Sequence, residues 1–265
     1  MNTMKTKPIF TLVVGFLIVV IALLGVAEWL GKTKSTTTLN LESGSVTKSD
    51  IEAITKEFII NNPQVIVDSV NNYQKVRRDD EKKKQEDFLK NNFDKITSNP
   101  NDPRVGNPNA KVKIVEVFDY MCGYCKHMMP VKDQVLTSGE DVEFVFKEFP
   151  ILGEFSELAS KSALAVYYLD KSKYLDFHRE MLNLNGPKTQ DSIDRILDKL
   201  NISRDKYQQA MKDVRIEQTL SEVRLFANSA GIMGTPAYII NGRIFPGALS
   251  YDAIMQEIQR IKKEK

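Results

Sequence analysis

The chain has 265 residues, 42% of them hydrophobic, enough to bury one good-sized core with length left for further elements. Its 37 basic and 35 acidic residues nearly cancel, and a net charge of +2 argues against a broad nucleic-acid footprint. Two cysteines are too few for a disulfide-stapled scaffold, and a lone close pair points to redox or metal chemistry.

At the N-terminus, Lys5 and Lys7 precede an uncharged run over residues 9–27 that is long enough to match a bilayer core of about 30 Å. Residues 1–30 are therefore expected to be an export signal or a membrane anchor. Gly25-Val26-Ala27 offers a cleavage site, whereas Trp29 suits the interface of a retained helix. Either outcome places the rest of the chain outside the cytoplasm, where disulfides persist. Residues 31–47, rich in Thr, Ser, Gly and Lys, read as a flexible linker.

Ser49-Asp50 opens a helical segment expected over residues 48–97. Ile51, Ile54, Phe58 and Ile59 recur at helical spacing, and a second stripe follows the Asn61-Asn62-Pro63 break through Ile66, Val70, Tyr73 and Val76. Residues 77–87 contain no apolar side chain and read as a solvated face, before Phe88, Leu89, Phe93 and Ile96 restore an apolar stripe. The Pro, Asn and Gly cluster at 98–110 marks a domain boundary.

Val112 to Phe118 is nearly continuous in β-branched and apolar residues, as a central strand requires. A helix from about Gly123 to Leu136, a strand from Val142 to Phe149 and several helices over 154–230 follow, one of them capped by Ser203. Asn241-Gly242 between two apolar runs suits a type I′ hairpin turn, and Ser250 caps a last helix. The order predicts an α/β fold with a small mixed sheet and a helical insertion.

Both cysteines lie in one short motif, Cys122-Gly123-Tyr124-Cys125. With Cys122 at the start of the helix, the unpaired amides of the first turn and the helix dipole favour its thiolate and make it the nucleophile. Cys125, one turn on, falls within disulfide-forming range and can resolve a mixed disulfide. Gly123 and Tyr124 set which dipoles reach the sulfur and so tune its potential. Other readings of the pair are weaker. Haem attachment needs histidine where Lys126 stands, zinc needs two ligands beyond the cysteines and His127 and His178 lie at no usable spacing, and a structural disulfide closing so small a loop stabilises little. His127 reads as a solvent-facing helical residue, with tuning of the thiolate as the alternative, and His178 as a helix-surface or internally satisfied histidine. Pro236, after Gly234-Thr235, marks the entry bend of the hairpin.

Residues 115–130, from Val115 to Pro130, together with residues 233–242 around Thr235-Pro236, resemble the DsbA-like disulfide oxidoreductases, a thioredoxin-like fold with an inserted helical domain. The resemblance covers residues 110–265 and places the insertion at about 154–220. It implies a cis Thr235-Pro236 bond facing the cysteines, with Thr235 and Pro236 offering backbone bonds to a client, and an active-site helix kinked at Pro130. It also implies a buried acid, Glu116, beneath a Cys122-Cys125 disulfide. Lys147 matches the family's partner lysine, and Glu116 paired with it is expected to relay protons for Cys125.

The Gly-Tyr dipeptide and the threonine before the proline also resemble disulfide isomerases, whose N-terminal segments oligomerise, a role open to residues 48–97. The expected activity is that of an exported, periplasmic thiol:disulfide oxidoreductase, with or without an inner-membrane anchor. It would oxidise reduced or misfolded client proteins with no metal or cofactor and exchange electrons with a redox partner in the membrane. An oligomeric isomerase and a membrane-tethered, non-enzymatic binder with an inert disulfide are the alternatives.

Overall fold

A computed structural model describes residues 46–186 and 188–264. The expected signal or anchor at 1–30 and most of the linker at 31–47 lie outside the described residues. Among the described residues, no helix is long and apolar enough to cross a membrane. The chain divides into two compact units, Met1–Asp68 and Ser69–Lys265.

In the described part of the first unit, helix α1 (Lys48–Asn61) starts at the residue where the sequence places the helical segment. Thr47 caps it: the Thr47 hydroxyl accepts from the Asp50 amide while the Asp50 carboxylate accepts from the Thr47 amide. The Asn61-Asn62-Pro63 break is present, and helix α2 (Gln64–Ser98) follows it. Ile51, Ile54, Phe58, Ile66, Val70 and Tyr73 are all exposed.

The second unit is built on a sheet of order β1-β3-β2-β4-β5. Strand β2 (Val112–Phe118) pairs in parallel with β3 (Val142–Glu148), and both are almost wholly buried, which explains their near-continuous apolar sequence. Strand β1 (Arg104–Gly106) is antiparallel to β3 and lies inside the segment that composition marks only as a boundary; three residues are too few to show a period. Strands β4 (Ala237–Ile240) and β5 (Arg243–Pro246) form the expected hairpin. Asn241 and Gly242 take φ of 45° and 85°, as a type I′ turn requires, and a side chain at Gly242 would meet the Lys90 backbone at 3.0 Å.

The sheet has two distinct faces because strand residues alternate. Ile114, Phe118, Phe144, Phe146 and Tyr238 point into the larger core, and Val115, Val117, Val145 and Ile239 into a second one that Leu89, Ile96, Val223 and Ala227 complete. Each fully buried side chain of this size contributes about 1.5–3 kcal/mol of burial. The larger core is covered by α3 (Gly123–His127) and α4 (Met129–Thr137), then by α5 (Glu154–Leu169), α6 (Tyr174–Asn183), α7 (Gln190–Lys199), α8 (Arg204–Ala210) and the final α10 (Tyr251–Lys263). Helix α9 (Val214–Ser229) runs unbroken through position 220, so the expected end of the insertion falls inside it. Its N-terminal Ile216 and Leu220 pack in the larger core and its Val223 and Ala227 in the second, which carries the chain from the inserted helices to the opposite face. Ser203 and Ser250 cap α8 and α10 as expected.

Candidate active site

The cysteine pair sits where β2 ends. Asp119, fully buried, clamps the turn: its Oδ1 accepts from the Met121 amide at 2.7 Å and the Ser156 hydroxyl at 2.6 Å, and its Oδ2 from the Ile151 and Leu152 amides at 2.7 and 3.0 Å. One carboxylate thereby holds the loops after β2 and β3 together, and its carbonyl accepts from the Cys122 amide at 3.1 Å. Cys122 is the N-cap of α3, with extended backbone, so its sulfur stands at the end where first-turn amides lack intrahelical acceptors. Its thiol donates to the Thr235 carbonyl at 3.2 Å across a cis Thr235-Pro236 bond, the arrangement the resemblance implies.

Cys125, one turn on, is completely buried, and both cysteines are free thiols. Burial pushes the Cys125 thiol well above the ordinary range, a main-chain hydrogen bond from Asp119 opposes this, and the Glu116 charge and Cys122 add to it. Tyr124 is 67% exposed and His127 is exposed beside it. The helix breaks at Met128, and Pro130, without an amide hydrogen, sits in the first turn of α4.

Beneath the cysteines the expected Glu116–Lys147 pair does not exist. In the parallel register Glu116 faces Phe146 and Val117 faces Lys147, so the two charged residues point to opposite faces of the sheet. Glu116 pairs instead with Lys132 of α4, whose ammonium donates to both carboxylate oxygens at 3.0 and 2.8 Å with neither side chain exposed. The Tyr238 hydroxyl donates to the same Oε1 at 2.8 Å. The third Lys132 donor reaches His178 Nε2 at 2.9 Å, which saturates the ammonium, and the cation lies 5.5–5.8 Å from the Phe146 and Phe118 ring centroids. Lys147 pairs with Asp102 on the other face. His178 is internally satisfied and not on the surface.

Asp119, Lys132, Tyr238 and the Tyr120–His178–Glu148 group are the site residues that sequence reading passed over. Lys132 carried a legible signal: it lies seven residues after Cys125, two helical turns on the same side, and so faces the core. Among the described residues no three His, Cys, Asp or Glu side chains converge as metal ligands.

Around Cys122 the rim is apolar and exposed: Met121, Tyr124, Ile151, Leu152 and Met233, the last 88% exposed. A groove of about 410 Å³ runs beside it, lined by Gly234, Thr235, Pro236, Pro246 and Gln85. Gln85, from α2, donates to the Ala230 carbonyl at 2.6 Å and so ties that helix to the loop leading to Pro236.

A thioredoxin-like sheet, a helix-capping Cys-x-x-Cys pair and a facing cis-proline define the class: a DsbA-like thiol:disulfide oxidoreductase. The chain belongs to the DSBA-like thioredoxin domain family, which matches residues 113–259. It is 34% identical to the thiol-disulfide exchange protein alpha-DsbA2 from Wolbachia pipientis, a structure that covers 67% of this chain and 95% of its own length with a TM-score of 0.64. Over 153 residues it is 27% identical to a probable disulfide bond formation protein D of Bacillus anthracis, spanning 53% of this chain and 70% of that one. It is also 23% identical over 147 residues to Na(+)/H(+) antiporter NhaA 1 of Salinispora arenicola, of which it spans only 22%.

Proposed function

We propose that this chain is an exported, periplasmic thiol oxidase that introduces disulfide bonds into reduced, partly unfolded client proteins. Cys122 is the sulfur that exchanges with the client: a client thiolate attacks it and Cys125 departs, then a second client thiolate displaces Cys122 and leaves both cysteines reduced, while Cys125 resolves mixed disulfides that stall. Thr235 and Pro236 bind the extended client backbone. Gly123 and Tyr124 tune the potential of the pair, and Glu116 takes the proton of Cys125. A redox partner in the membrane restores the disulfide. The observation that carries this reading is the Cys122 thiol held 3.2 Å from the Thr235 carbonyl inside an exposed apolar rim, where an unfolded segment can dock. Lys147 has no part in it, since it lies across the sheet.

The test is reoxidation of a reduced client, with the equilibrium of the pair against glutathione measured alongside. An oxidase forms client disulfides at a rate set by its own concentration and is itself readily reduced by glutathione; loss of turnover in Cys122→Ser is expected. A pair that glutathione cannot reduce counts against the oxidase.

A second reading, an oligomeric isomerase assembled through residues 48–97, is favoured by the exposed apolar side chains of α1 and of the first turns of α2, including Phe58 and Tyr73. Deleting 48–97 would then abolish refolding of a scrambled-disulfide client while leaving client oxidation intact.

A further inference from the structure

Lys132 has no acceptor capacity, so its contact with His178 fixes the imidazole: Nε2 accepts, and Nδ1 carries the hydrogen. His178 Nδ1 lies 3.1 Å from the Tyr120 oxygen, which must accept there, and the Tyr120 hydroxyl donates to Glu148 Oε1 at 3.2 Å. Tyr174 donates to the same oxygen at 3.0 Å. Every member, from Glu116 to Glu148, is buried. The hydrogens therefore all point one way, from the Glu116–Lys132 pair beneath Cys125 toward the Glu148 carboxylate.

We propose that Lys132, His178, Tyr120 and Glu148 form a buried proton relay that extends Glu116 and serves the Cys125 thiol, with Glu148 as its terminal base. The proposal rests on the reading of Cys125 as the resolving thiol. When a client is linked to Cys122, Cys125 Sγ attacks Cys122 Sγ. The Cys122–Cys125 bond forms, the Cys122–client bond breaks, and the client leaves as a thiolate. The Cys125 proton passes to Glu116, Lys132 hands a proton to His178 and recovers one from Glu116, His178 passes its Nδ1 proton to Tyr120, and the Tyr120 proton arrives on Glu148. In the oxidising direction, where a client thiolate attacks Cys122 and Cys125 departs, the same chain returns the proton by microscopic reversibility.

The surroundings suit these roles. Burial pushes Glu148 up to about 8, against hydrogen bonds from Tyr174 of α6 and Tyr120 of the turn after β2, while Asp119 adds repulsion. Burial, then the Lys132 and Arg179 charges, holds His178 well below its ordinary range, so it stays neutral and passes a proton without keeping it. Phe118, Phe146, Tyr174 and Tyr120 enclose its ring. A terminal base with affinity near the working pH is the effective choice.

The experiment is the release of glutathione from the Cys122–glutathione mixed disulfide of the full chain between pH 5.5 and 9.5, in wild type, Tyr120→Phe and Glu148→Gln. Wild type should speed up as pH rises through about 8, the value to which Glu148 is pushed. Both variants should lose that inflection and slow by about tenfold, less than the roughly 10²–10⁴ of a group in direct contact, because Glu116 remains. Unchanged folding and Cys122 alkylation together with a wild-type release profile in both variants would overturn the relay. Should the variants fail to fold, wild type in mixed H₂O and D₂O decides: a curved proton inventory supports several protons in flight, and a linear one removes the chain. If oxidised glutathione neither oxidises the reduced wild-type pair nor is released from it, the oxidoreductase reading fails and takes the relay with it. If wild type releases glutathione and the variants match it, only the relay falls.

Discussion

The sheet carries a buried ion pair on each face, and the two are built differently. On the cysteine side, Lys132 spends all three of its donors on Glu116 and His178, and Tyr238 adds a further bond to the carboxylate. On the other side, Lys147 meets Asp102, whose Oδ1 has no hydrogen-bond partner and whose carboxyl burial pushes upward, with Lys147 and Arg104 opposing. That pair lines a cleft of about 640 Å³ beside Phe226, so its cation lies close to a solvent-filled space. A charge fully removed from water persists only when its hydrogen bonds are complete. The saturated pair lies under the dithiol and is wired onward to Glu148; the unsaturated one lies on the face opposite and joins β3 to the segment before β1.

The sharpest way to break this comparison is to remove each lysine in turn. Lys132→Met leaves Glu116 buried and uncompensated and should cost about 3–5 kcal/mol of stability. It should also change the pH dependence of Cys125 exchange, because Glu116 loses its fixed partner. Lys147→Met should cost less, about 2–3 kcal/mol, since Asp102 can take a proton and water can reach the cleft. Its redox equilibrium with glutathione should match wild type. Chemical denaturation and glutathione titration of both variants check this, and a shifted redox equilibrium in Lys147→Met would erase the distinction between the faces.

The same residues show what a sequence can and cannot carry. Apolar runs identified β2, β3 and the hairpin to within a residue or so, because burial on both faces leaves a continuous pattern. Spacing located Cys122 and Cys125, and the resemblance placed Pro236 opposite them. Pairing across strands failed: whether Glu116 meets Lys147 depends on register, and a one-residue offset reverses the face on which a side chain lies. Tyr120, His178 and Glu148 come from the end of β2, the inserted helix α6 and the end of β3, and no local period links them. The exposed stripes of α1 and early α2 read as any amphipathic helix would, and a period does not say what covers it.

Glu148 offers a test that needs no redox assay. Its folded-state affinity, raised to about 8, lies above the roughly 4.3 of an unfolded glutamate, so the folded chain holds more protons across that interval. Stability from this group is complete below about 4 and is lost as pH rises through 8. His178 acts oppositely: held neutral when folded, it lowers stability as pH falls below about 6.5, where the unfolded imidazole gains a proton. The two offset each other in acid, and between about 6.5 and 8 only the Glu148 loss remains, on the order of 2 kcal/mol. Wild type should therefore unfold more readily at pH 8 than at pH 6.5, and Glu148→Gln should flatten that slope. An unchanged slope would mean that Glu148 titrates as an ordinary carboxylate.

The smallest effect concerns α2, which reaches both the Lys147 face and the client groove. Gln85 donates to the Ala230 carbonyl, and Leu89 and Ile96, on the same helix, pack into the core beneath Lys147's face. If Gln85 only braces α2, Gln85→Ala should lower stability by about 1 kcal/mol and leave client exchange alone. If it also holds the loop before Thr235 in place for the client backbone, KM for a reduced peptide should rise by roughly 2–5-fold with kcat unchanged, the signature of lost uniform binding. The second outcome is expected, because Gln85 also lines the groove with Thr235 and Pro236. It would make the face without the dithiol a contributor to client affinity while chemistry stays with the face beneath Cys125.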